Sequence, residues 1–112
     1  MITKSFDEGL EEAKLEPIAT FELAGQTFRC LPEAPAGVLT NLARAVGHDD
    51  QGNTVFSNLD VMAFLEGVLF EEDARAFRAV CNSKTKIISI DRLGGVMLWL
   101  SQDVYAPGRP TA

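Results

Sequence analysis

The segment Ala19-Thr20-Phe21-Glu22-Leu23-Ala24-Gly25-Gln26-Thr27-Phe28-Arg29-Cys30 decides the fold. Ala19, Phe21 and Leu23 alternate with Thr20 and Glu22. Beyond Ala24-Gly25 the alternation resumes, with Phe28 and Cys30 apolar and Thr27 and Arg29 polar. A period of two marks a strand with one face buried. A two-residue turn at Ala24-Gly25 pairs Phe21 with Phe28 and Ala19 with Cys30, so these four side chains share one face. Ala-Gly is not the Asn-Gly pair that such turns favour, and the turn type stays open. Pro32 and Pro35 close the unit.

Downstream, apolar residues recur at helical spacing. Pro35 suits a helix start. Val38, Leu39, Leu42, Ala45 and Val46 form a stripe that Gly47 stops, and His48 to Thr54 reads as a polar loop. Ser57 and Asp60 resemble a capping box. Leu59, Met62, Leu65 and Leu69 follow on one side, with Val61, Phe64 and Val68 on the other, so this helix is apolar nearly all round and is expected at the centre. Glu71-Glu72-Asp73 opens the next helix, where the helix dipole favours acidic residues, and Ala74, Phe77 and Cys81 make its stripe. Asn82 to Thr85 is a loop. Ser89 caps a last helix through Leu93, Met97, Leu100 and Val104.

The expected fold is therefore α+β, an N-terminal β-hairpin packed on a small bundle of three to four helices. Phe21, Phe28, Leu42, Leu65, Phe77 and Leu100 are its expected core. Residues 18–105 form a single domain. Residues 1–17 read as an acidic arm or short helix with a thin apolar stripe of Phe6, Leu10, Ala13 and Leu15, ended by Pro17. Residues 106–112, with Pro107, Gly108 and Pro110, read as a flexible tail.

Composition agrees. The 112 residues are 46% hydrophobic and 23% charged, ordinary values for a globular domain. Ten basic against 16 acidic residues leave a formal charge of −6, a poor match to nucleic-acid phosphates. Residues 1–33 hold three basic and seven acidic residues, a net −4, against seven and nine, a net −2, in the remainder. Apolar runs such as Val96 to Leu100 are too short to span a bilayer, and the N-terminus lacks an apolar signal-peptide core. A soluble, intracellular domain without membrane or nucleic-acid partners is expected. Cys30 and Cys81 lack the close spacing of a redox or zinc pair and read as reduced, mostly buried thiols.

Little in the chain suggests chemistry. Asp49, Gln51, Asn53, Val55, Ser57 and Asp60 fall at the ligand spacing of a helix–loop–helix calcium site. However, Thr54 occupies the position that needs glycine, and Asp60 is short for the usual bidentate glutamate. No catalytic residue, metal site or cofactor is expected, because nothing meets the requirement for nucleophile, base and orienting group. The last helix offers a surface instead. Trp99 falls on a different face from Leu93, Met97 and Leu100, above Gly95, whose missing side chain leaves a notch where a partner can approach. Trp99, Gly95 and Leu98, with Phe64 and Val61 as apolar residues beyond one core stripe, are the candidate partner-binding set. The alternative is that Trp99 packs beneath the hairpin.

These segments resemble a known family. Thr20 to Phe28 is similar to the short hairpin, Phe-x-hydrophobic-x-Gly-x-x-Phe in outline, that opens the tail assembly chaperones of long-tailed phages of actinobacteria. In that family the hairpin leads through a proline-containing link to helices, and Pro32 and Pro35 stand in that link. Phe70-Glu71-Glu72-Asp73-Ala74 resembles the family's acidic helix opening, and Leu93 to Leu100, with Trp99-Leu100 inside, its closing helix. Gly108-Arg109-Pro110-Thr111 resembles the Arg-Pro-Thr that often ends the family's shared region. The stretch Asn82 to Ile88 departs from the pattern, being basic and apolar. The resemblance implies a non-enzymatic protein of the host cytoplasm that binds the tape measure protein, keeps its apolar helices soluble and promotes tail tube assembly. It implies absence from the mature virion. Implied partners are the tape measure protein, a frameshifted longer form of the chain and the tail tube subunit; a homo-oligomer is compatible with it. Two other readings stand beside it: a small acidic inhibitor or DNA mimic that binds a host protein, and a structural head–tail joining subunit.

Overall fold

A computed structural model describes residues 1–8, 10 and 15–106. The chain begins with antiparallel β1 (Ala19–Leu23) and β2 (Gln26–Cys30), with Phe21 opposite Phe28 and Ala19 opposite Cys30, as the alternation predicts. Ala24 (φ 51°) and Gly25 (φ 79°) both adopt left-handed backbone. That is the signature of the type I′ turn, whose twist matches the flanking strands.

Four helices follow: α1 (Ala36–Ala45), α2 (Asn58–Val68), α3 (Glu71–Cys81) and α4 (Ile90–Trp99). The chain is α+β, with its N-terminal hairpin packed on the helices. A π-helical turn, Leu100–Val104, prolongs α4. Ser89 caps α4 by accepting a hydrogen bond from the Arg92 amide. Ser57 begins α2 differently from a capping box. Its hydroxyl donates to the Asp60 carboxylate at 2.8 Å, and Asp60 also accepts from Asn41 of α1.

One region departs from expectation. The α1 stripe does not run on to Gly47. The chain leaves the helix at Ala45, and β3 (Val46–His48) pairs antiparallel with β4 (Thr54–Phe56). The intervening loop is closed by Asp49, whose carboxylate accepts from the Gln51 and Asn53 amides and from the Asn53 side chain. These bonds hold the Asp49 carboxyl below its usual range, the Asn53 amide first among them. Asp49, Gln51 and Asn53, the first three positions of the calcium-like spacing, thus belong to a hairpin loop that folds on itself, whereas Val55 lies in β4 and Asp60 in α2.

The core joins the hairpin to all the helices. Phe28 meets Phe21 at 5.4 Å and Phe77 of α3 edge-on at 5.6 Å, ring centre to ring centre. Leu65 and Leu100 are also fully buried, whereas Leu42 is only half-buried at the margin. The Ser57 amide bonds the Ala45 carbonyl, while a side chain added at Gly67 would collide with Val38. The start of α2 therefore lies against the end of α1, and its end against the start of α1: the two run antiparallel. Gly94 of α4 lies beneath the Phe56 ring in the same way, so both glycines let neighbours approach closely.

The described arm residues form no helix or strand, and Ile2, Phe6 and Leu10 are exposed. Of the expected tail only Ala106 is described; residues 107–112, like the Arg-Pro-Thr resemblance within them, lie outside the described residues.

Truncating Leu65 to alanine should lower the unfolding free energy by roughly 2–5 kcal/mol in urea titration, because its side chain is wholly enclosed. A near-zero change would show that α2 is not central. Ala24→Asn should raise it by roughly 0.5–1 kcal/mol, since asparagine tolerates left-handed backbone that alanine occupies under strain. No gain in the same titration would argue against a type I′ turn.

Candidate functional site

The five residues expected to bind a partner separate into two groups. Trp99 is on the surface, 38% exposed, and nothing lies within 4 Å of a side chain built at Gly95. The two stand one turn apart on α4. Leu98 is half-buried against the core. Val61 and Phe64, by contrast, are wholly buried and belong to the core, not to the surface. They looked surplus because a surface helix needs a single apolar stripe. α2 is enclosed by α1, α3 and α4, so several of its faces are covered. Its outward apolar residue is Leu59, and Ile87 stands 84% exposed in the α3–α4 loop. Leu39, placed by spacing in the α1 stripe, is also exposed. It joins Ile18, Pro32, Ala34, Val104 and Tyr105 around a shallow hollow of about 220 Å³.

The electrostatic centre of the molecule lies elsewhere, at Arg29. Its backbone amide donates to Asp73 Oδ2 at 2.7 Å, while its guanidinium donates to both carboxylate oxygens at 3.0 and 3.1 Å. The same guanidinium lies 4.7 Å over the Phe70 ring and within 3.7 Å of Glu72. Bidentate geometry of this kind is among the stronger forms of ion pair. The Arg29 side-chain hydrogen bond, with help from its amide, holds the Asp73 carboxyl below its usual range against the opposing effect of burial. Sequence reasoning assigned Asp73 to the helix dipole alone. The partner lies 44 residues away, and no local pattern reveals it.

Other reactive groups are quiet. Burial, with the Asp73 charge behind it, pushes the Cys30 thiol up to about 11, so it stays protonated and non-nucleophilic. Both cysteines are free thiols. Burial also raises the Tyr105 phenol, whose hydroxyl donates to the Leu31 carbonyl at 2.6 Å. Among the described residues no three His, Cys, Asp or Glu side chains are grouped to hold a metal ion, and no helix is long and apolar enough to cross a membrane. No protein-family model, characterised protein or solved structure matches the chain.

Replacing Asp73 with asparagine removes the charge and one acceptor from Arg29. It should lower the unfolding free energy by roughly 1–3 kcal/mol at neutral pH. An unfolded aspartate titrates near ~3.9, and the folded Asp73 below that. The unfolded chain therefore takes up the proton first. The contribution is complete above the unfolded value and is lost as pH falls through the depressed folded one. Urea titrations at neutral pH and at about pH 3 check this: Asp73→Asn should lose less stability between them than wild type, and equal losses would contradict it.

Proposed function

We propose that this protein is a tail assembly chaperone of the kind found in long-tailed actinobacteriophages. It binds the tape measure protein, keeps that protein's apolar helices soluble and promotes tail tube assembly. The observation that carries the reading is the partly exposed Trp99 one turn from the uncovered backbone of Gly95, on an α4 whose other side is anchored by the buried Leu93 and Met97. An amphipathic partner helix seats against such a ridge in groove fashion, with the indole as anchor. The opening of the chain also supports it: a short hairpin and a proline link lead into α1, and α3 has an acidic opening, as in the family the sequence resembles, although a second short hairpin separates α1 from α2.

In this reading the chain is not an enzyme and works in the host cytoplasm. Several copies line one tape measure protein, so modest contacts add up through multivalency. The tail tube subunit and a frameshifted longer form of the chain are its further partners, and it departs before the virion matures. The DNA-mimic alternative draws less support. It needs an uninterrupted row of carboxylates on a rigid element, whereas Glu66, Glu71, Glu72 and Asp73 each lie beside an arginine.

Co-expression with the tape measure protein tests the proposal. Wild type should raise the soluble fraction of that protein, and equal solubility with and without this chain would refute the chaperone reading. Trp99→Ala should weaken binding by roughly 2 kcal/mol or more with little effect on unfolding. Full rescue by Trp99→Ala would move the binding surface away from α4. Val61 and Phe64 are unsuitable for this test, because truncating either opens a cavity in the core.

A further inference from the structure

The N-terminal arm and the α3–α4 loop are opposite in charge and alike in exposed apolar surface. On the arm, Ile2, Phe6 and Leu10 are 100%, 81% and 79% exposed. Their four-residue spacing puts them on one side of the segment if it turns helical. Asp7 and Glu8 lie between them, and Glu11 and Glu12 follow in sequence. At the far corner of the domain, Lys84 and Lys86 flank exposed territory that ends in Ile87. The loop has a fixed shape there, because the Ser83 hydroxyl accepts from the Thr85 and Lys86 amides. Among the described residues neither lysine forms an ion pair. Beside them lies a concavity of about 310 Å³ lined by Ala24, Gln26, Ala79, Val80, Ser83 and Lys86.

The arm starts from the other end of the hairpin. Ile18 is bonded to Cys30 at the open end, whereas Ala24 and Gln26 belong to the turn end, about 15 Å away along the strands. Phe6 and Leu10 are exposed, and neither lines the concavity of its own chain. We propose that the arm of one copy docks on this corner of a second copy. Phe6 and Leu10 enter the concavity, and the arm's carboxylates lie beside Lys84 and Lys86. One arm and one corner per chain permit a reciprocal exchange that closes a symmetric dimer. The proposal is independent of the chaperone reading, since it concerns only copies of this chain.

Sedimentation velocity on the full chain tests it over a range of concentrations, at about 0.05 M and about 0.5 M salt. Wild type should shift from monomer to dimer as concentration rises, and less so at the higher salt. Phe6→Ser with Leu10→Ser should weaken dimerisation about 30-fold or more, and Lys84→Glu with Lys86→Glu likewise. Circular dichroism and melting should stay as in wild type, because all four side chains are exposed. An equimolar mixture of the two variants retains one intact arm and one intact corner. It should associate more strongly than either variant alone and less strongly than wild type. The proposal is overturned by a wild type that stays monomeric throughout, whether its arm is free or folded back on its own corner. It is equally overturned if dimers survive either pair of substitutions, or if the mixture associates no better than its components.

Discussion

The structure depends on what happens at the outer edge of β2. A two-stranded hairpin alone is marginal in water and leaves a row of unpaired backbone groups. Here the chain that links α2 to α3 lies along that edge. The Leu31 amide bonds the Val68 carbonyl at 2.7 Å, the Phe70 amide bonds the Arg29 carbonyl, and Cys30 bridges to Leu69. Leu69 and Phe70 are extended, so the segment serves as a short third strand between two helices. Arg29 then reaches past it to Asp73, and Phe77 completes an aromatic trio with Phe21 and Phe28. Backbone pairing, an ion pair and ring packing all converge on one seam. α1, the second hairpin and α2 form a loop that this seam closes.

What could be read from the sequence follows from how local each cause is. The first hairpin and its register were legible, because period-two alternation and a two-residue turn are written within twelve residues. The start of α4 was legible because Ser89 caps it through its own neighbour. The second hairpin was not. Val46 continues the spacing of the α1 stripe, and three-residue strands are too short to show a period. The Arg29–Asp73 pair and the edge pairing beside it join distant segments, which periodicity does not register.

The candidate surface was half legible for a related reason. Helical phase correctly set Trp99 apart from Leu93 and Met97. It could not say how many neighbours α2 would have, and so misplaced Val61 and Phe64. The same limit applies to glycine. Adjacent in sequence, Gly94 and Gly95 have different roles, the first lying under Phe56 and the second open. Which of the pair meets a neighbour depends on β4, a strand the sequence pattern did not disclose.

Tyr105 gives the end of α4 an unusual mechanical character. Helix ends commonly fray, but here the π-helical turn brings the ring round to β2's exit, where its hydroxyl grips the Leu31 carbonyl. Tension applied beyond Ala106 would therefore not simply peel α4 from its last turn. It would divide at Tyr105, part running back along the helix and part crossing directly to the chain beside Pro32. Anything tethered at that end would pull on the hairpin seam, where backbone pairing, an ion pair and ring packing meet.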